Sequence, residues 1–181
     1  AETFQAEYPQ QCATQERAFR DAVIRRDTAN RSTRASAEES ADQVAMRAAR
    51  LGIGHEAISL VTDDDVDAIV ALAERERPAL LIIDSIQTVG VREIGAAPGG
   101  VAQVRESAAR LMRLAKTTGV AVVLVGHVTK DGGLAGPKML EHMVDVVLYL
   151  EGDPDRGFRV LRSTKNRFGA THVSGMFDMK S

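Results

Sequence analysis

Tryptophan is absent, and aromatic residues make up only 4% of the 181 residues, so the core has to be aliphatic. A single cysteine, Cys12, excludes an internal disulfide and any four-cysteine zinc site within the chain. No apolar run approaches the ~20 residues of a membrane-spanning helix. No secretory signal is legible either, which makes a soluble cytoplasmic protein with no membrane partner the expectation. Neither charge is in excess, since 23 Lys and Arg against 25 Asp and Glu leave a net charge of −2. Binding to a polyanion would therefore rest on a local patch and not on the whole surface. Internal repeats and low-complexity segments are also missing. The length suffices for one domain with a real core.

What is present falls into two parts. Residues 1–35 hold few aliphatics, with one amphipathic helix expected between Gln15 and Arg26 through Ala18, Phe19, Ala22 and Val23. The stretch RRDTANRSTRA that follows is polar, basic and without apolar period, which predicts loop or disorder and not a buried strand. From Ser36 the character changes. Ser36 and Glu39 have capping-box spacing, and Ala41, Val44, Ala45, Ala48 and Leu51 form a helical stripe that Gly52 ends. AISLV (57–61) predicts a short strand. Asp63, Asp64 and Asp65 favour a helix start through the macrodipole, with Val66, Ile69, Val70 and Ala73 as its buried face and Pro78 as its bound.

LLIID (80–84) is a short apolar run suited to a strand buried on both faces. GVREIGAAPGG (90–100) is too rich in glycine for regular structure and predicts a loop. A long helix follows on Val101, Val104, Ala108, Leu111 and Ala115, ended by Gly119. VAVVLV (120–125) predicts a second apolar strand, KDGGLAGPK (130–138) a second loop, 139–143 a helical turn, and VDVVLYL (144–150) a third core strand. Residues 158–163 and 171–179 predict a hairpin around KNRFGA. Strands alternating with helices from about Ala57 to Leu150 argue for an α/β fold, a mostly parallel sheet with flanking helices. Residues 36–181 form its domain, the hairpin adds at one edge, and 1–35 stand outside it as an atypical polar segment.

In an open parallel sheet the carboxyl ends of the strands share one side, where ligands bind. Asp84 with Ser85, His127 with Thr129, and both glycine-rich loops all follow predicted strand ends. An acid at Asp84 either caps the next turn or holds the Mg²⁺ of a bound nucleotide, the Walker B role. His127 is either a structural histidine or a polar sensor of a phosphate. Lys165 and Arg167, two apart near the hairpin tip, are either solvated turn charges or cations that reach a neighbouring subunit's phosphates.

AEESADQVAMRAARLG, LLIIDSIQTV, the segment from APGGVAQVRES to LEGD, and LRSTKNRFGAT together resemble the bacterial RadA (Sms) family over about residues 36–179, with KNRFG close to diagnostic. That family contains RecA-like ATPases of DNA repair, organised similarly to the DnaB helicases. The resemblance implies a RecA-like fold and ATP-dependent recombinational repair and branch migration, with ATP and Mg²⁺ as cofactors. It also implies single-stranded or branched DNA as partner and a homo-oligomeric ring. By the same resemblance Glu38 activates the attacking water, and Asp84, beside Ser85, binds the magnesium. His127 senses the γ-phosphate, Lys165 and Arg167 act in trans, and Arg92, Lys130 and Lys138 touch DNA backbone.

The chain departs from that pattern in ways that change the expectation. GxxxxGKS/T, whose amides and lysine cradle phosphates, occurs nowhere in it. The family's four-cysteine module and Lon-protease-like domain have no counterpart here, and the apolar strand expected before Ser36 is replaced by RRDTANRSTRA. So abrupt a junction is what a shifted reading frame would give. The expectation is a partial core with weak or absent ATP binding, in which amino-terminal residues fill the sheet, neighbouring strands close up, or the chain is marginal alone. A DNA- or subunit-binding remnant without hydrolysis, or a fragment with no function, is the alternative. A circadian-type or other RecA-like signalling ATPase is a lesser one, disfavoured by KNRFG.

Overall fold

The strands pair into two separate sheets, one parallel and one antiparallel. The computed structural model describes residues 32–36, 42–43, 46, 58–127, 136–153 and 157–178. They fall into two compact units, one within 28–143 and the other within 144–181.

The first unit carries β1 (Ser32–Ser36), β2 (Ile58–Val61), α1 (Val66–Glu76), β3 (Leu80–Asp84), α2 (Val101–Thr118), β4 (Ala121–Val125) and α3 (Gly136–Met143). The sheet order is β2-β1-β3-β4 and every pairing is parallel. α1 begins where the acidic run predicts, with the Asp65 carboxylate accepting from the Asp67 amide as N-cap. α2 ends at Gly119, whose φ of 75° closes the helix in the left-handed region. α1 packs on α2 and α2 on α3. Val66, Ile69, Leu81, Ile83, Val104, Ala108, Leu111 and Leu114 form one aliphatic core, as a chain without tryptophan requires. Each of these valines, leucines and isoleucines taken fully out of water contributes roughly 1.5–3 kcal/mol.

The main departure is β1. STRA (32–35), expected as loop or disorder, and Ser36, expected as a helix cap, form one strand hydrogen-bonded to β2 on one edge and β3 on the other. Backbone donors and acceptors inside a sheet must be paired whatever side chains they carry, and tertiary context overrides a polar sequence. The amino-terminal residues therefore fill the sheet, one of the three outcomes expected. The proposed capping box and the helix of 15–26 lie outside the described residues, except that Ser36 ends β1 and that Asp42, Gln43 and Met46 are helical. β3 is fully buried on one face only, through Leu81 and Ile83, while Leu80 and Ile82 are half-buried. β4 is an edge strand, and Val123 is exposed.

The second unit holds β5 (Val146–Asp153), β6 (Phe158–Asn166) and β7 (Ser174–Asp178), antiparallel in the order β5-β6-β7. The hairpin forms as predicted, but its first strand runs on to Asn166, so Lys165 lies in β6 and not in the turn, and the return strand begins at Ser174. β5 corrects the expectation of a third parallel core strand, because it pairs antiparallel with β6 along its whole length. An all-apolar run such as VVLYL does not reveal its partner's direction, and here Leu148 and Leu150 are exposed. The hairpin accordingly belongs to a sheet of its own, not to an edge of the parallel one. Among the described residues no helix is long and apolar enough to cross a membrane.

Candidate functional site

Parallel register sets the carboxyl ends of three strands side by side. Ser36 pairs with Asp84, and Asp84 pairs with Val125. His127 lies two residues beyond Val125, so Asp84 and His127 leave adjacent strands on the same side of the sheet. Two hydrogen bonds tie these ends together, from the Ile86 amide to the Val125 carbonyl (2.9 Å) and from Gln87 Nε2 to the His127 carbonyl (3.0 Å). The buried Oε1 of Gln87 has no hydrogen-bond partner among the described residues.

Asp84 is half-buried at the strand end and His127 is exposed. Ser85 is fully buried. Its amide donates to Thr88 Oγ1 (3.3 Å) and its carbonyl accepts from the Thr88 hydroxyl (2.8 Å), which closes a tight turn directly after the acid. The Asp84–Ser85 peptide is cis. Among the described residues no group of three or more acids, histidines or cysteines is placed to hold a metal by itself. One carboxylate at a strand end suits Mg²⁺ that arrives on nucleotide phosphates, since that ion keeps most of its ligands as water and phosphate oxygen. The donor set thus fits the magnesium that the resemblance implies, with Asp84 as the residue that would hold it.

Of the other residues singled out from sequence, Glu38 and Lys130 lie outside the described residues. Lys138 is exposed on α3. Arg92 projects from the 90–100 loop and its Nε pairs with Asp65 Oδ2 at 2.9 Å, so the capping acid of α1 also holds the loop's cation. Lys165 and Arg167 belong to the second unit, where both reach the segment before β5. Lys165 Nζ donates to the Val144 carbonyl and Arg167 Nη1 pairs with Asp145 Oδ1, each at 2.8 Å.

Two residues that sequence reasoning passed over organise the loop. Arg110 on α2 binds Asp67 of α1, Glu93 of the loop (3.0 Å) and Glu106 of its own helix (3.3 Å). The hydrogen bond to Asp67, then that to Glu93, holds its proton more firmly than usual. Gln103 is 4% exposed and binds loop backbone. The available signal was its place on the inward stripe of α2, four residues before Ser107 and eight before Leu111, where a polar side chain needs a buried partner.

A parallel α/β sheet in which two adjacent strands lead into an acid and a histidine has the architecture of a RecA-like domain. The crystal structure of the RadB recombinase superposes with a TM-score of 0.61 over 90% of this chain and 80% of that one, at 18% identity. The AAA domain family matches residues 21–133. DNA repair protein RadA of Pseudomonas aeruginosa is 55% identical over 142 residues, which cover 78% of this chain and 31% of that protein. RadA of Escherichia coli is 54% identical over 142 residues, again 78% and 31%, and RadA of Bacillus subtilis 48% over 145 residues, 80% and 32%. The chain belongs to the AAA domain family and to the bacterial RadA family. It spans about a third of the length of the curated relatives it matches.

Proposed function

We propose that this chain is part of the RecA-like core of a cytoplasmic, ATP-dependent DNA repair protein that works in recombination and branch migration. The observation that carries this reading is the in-register row of strand ends, in which Asp84 and the strand leading to His127 end side by side at the carboxyl end of the parallel sheet. Asp84 is the magnesium ligand, next to Ser85, and His127 senses the γ-phosphate. Glu38 activates water. Lys165 and Arg167 act across a subunit boundary in a homo-oligomeric ring, and Arg92, Lys130 and Lys138 meet DNA phosphates. ATP and Mg²⁺ are the cofactors of the intact protein. A second reading, a DNA- or subunit-binding remnant without hydrolysis, is favoured by the absence of GxxxxGKS/T from the chain.

DNA binding is tested through Arg92, because its charge is already engaged by Asp65. A DNA phosphate must compete with that carboxylate. Asp65→Asn keeps an oxygen for the Asp67 amide, so the helix cap survives while the competing charge is lost. Single-stranded DNA affinity, titrated by fluorescence anisotropy against salt, should rise with Asp65→Asn and fall with Arg92→Ala. The wild-type chain should lose affinity linearly in log–log terms, and Arg92→Ala should shallow that slope by about 0.7, the value for one phosphate contact on a single strand. Binding without salt dependence, or an Arg92→Ala slope equal to wild type, contradicts the assignment of this loop to DNA.

A further inference from the structure

Residues 90–100 hold no regular structure, yet their backbone is fixed from three sides. At the start, Gly90 is built into the first turn before α1, its amide donating to the Asp64 carbonyl (2.8 Å) and its carbonyl accepting from the Val66 amide (3.0 Å). Glu93 is held by Arg110 at 3.0 Å and Arg92 by Asp65 at 2.9 Å. The third hold is Gln103, the first buried side chain of α2. Its Oε1 accepts from the Val91 amide at 2.8 Å. Its Nε2 donates to the carbonyls of Val91 (3.1 Å), Ile94 (3.0 Å) and Ala96 (2.9 Å). Two amide hydrogens are thus shared among three carbonyls, and the orientation is unambiguous. A flipped carboxamide would set its oxygen against those three carbonyl oxygens and its nitrogen against the Val91 N–H.

A buried carboxamide with every atom engaged by one short segment specifies that segment's conformation. The backbone has made room for it. A Cβ at Gly90 would stand 3.2 Å from Gln103 Oε1 and 3.4 Å from its Cδ. Val91, between the two holds, is 1% exposed, whereas Arg92 next to it points into solvent with its side chain 77% exposed. The arrangement buries one residue to aim its neighbour.

We infer that Gln103 is the positioning residue of the 90–100 loop, holding Val91, Ile94 and Ala96 so that Arg92 is offered from a fixed backbone to an anionic partner. The DNA phosphate as that partner rests on the function proposed above. Gln103→Met keeps the volume of the side chain and removes all four hydrogen bonds. In the whole chain, amide exchange followed by NMR should show Val91 and Ile94 opening about tenfold faster or more, while Ile83 in β3 and Leu111 in α2 keep wild-type rates. Single-stranded DNA affinity should fall, and adding Arg92→Ala to Gln103→Met should cost much less than Arg92→Ala alone, because the two act as one unit. If Gln103→Met fails to fold, Gly90→Ala perturbs the same contact from the loop side and should give the same local opening. Wild-type protection of Val91 and Ile94 in both variants, or equal acceleration throughout the sheet, overturns the inference. Local opening combined with an Arg92→Ala chain of unchanged DNA affinity supports the positioning role and overturns the DNA reading instead.

Discussion

In a full-length relative, alanine at the position that corresponds to Arg167 should lower ATP hydrolysis by about three orders of magnitude and leave nucleotide affinity within roughly twofold. A cation supplied across a subunit boundary meets the charge that develops in the transition state and touches little of the ground state, so the loss appears in turnover and not in binding. Within this chain the same guanidinium pairs with Asp145, and both side chains are more than half exposed. A pair so open to solvent contributes about 0–1 kcal/mol to stability. Its loss cannot account for a thousandfold effect. The change corresponding to Asp145→Asn separates the two roles, because it frees Arg167 without removing it. Hydrolysis should then be retained. Equal loss in both variants would mean that the cation only holds the hairpin against the segment before β5, and the trans-acting role would be wrong. The partner cation, Lys165, is fixed through the Val144 carbonyl and should follow Arg167 in the same assay.

Leu111→Ala should destabilise the 28–143 unit by roughly 2–5 kcal/mol, read from the shift in urea midpoint at unchanged slope. Leu111 has no exposed surface and sits in the same aliphatic cluster as Ile69 of α1 and Leu81 of β3. Its removal leaves a cavity where helices and sheet meet. A domain of ordinary stability has only about 5–15 kcal/mol to lose. Val123→Ala, on the exposed edge strand, is the control and should cost well under half as much. Equal losses would mean that the core does not lie between the helices and β3.

Much of the first unit was legible because its signals are local. The stripe Val104, Ala108, Leu111 has one period and one meaning, the acids at 63–65 mark a helix start, and Gly119 supplies the left-handed closure. LLIID ended where its acid predicted, which put Asp84 at the strand end before any contact was known. What was not legible depends on distant partners. STRAS carries no apolar pattern, and only the two neighbouring backbones make it a strand. VVLYL has no face that distinguishes a parallel partner from an antiparallel one, and its pairing with β6 is set by the return of the chain at Phe158. Asp84 and His127 were legible as neighbours because the positions of strand ends follow from topology. For Gln103 the sequence held only its place on the inward stripe of α2, and its partners are known only once the loop is seen folded over it.

The strand-end row, proposed above as a metal-binding acid and a phosphate sensor, stands in a chain whose sequence holds no GxxxxGKS/T cradle for the phosphates. Titration of the isolated chain with a fluorescent ATP analogue and Mg²⁺ tests it most directly. No saturable binding is expected up to about 1 mM, where the binding free energy would already be about −4 kcal/mol. Saturation in the micromolar range, with hydrolysis that Asp84→Asn abolishes, would contradict it.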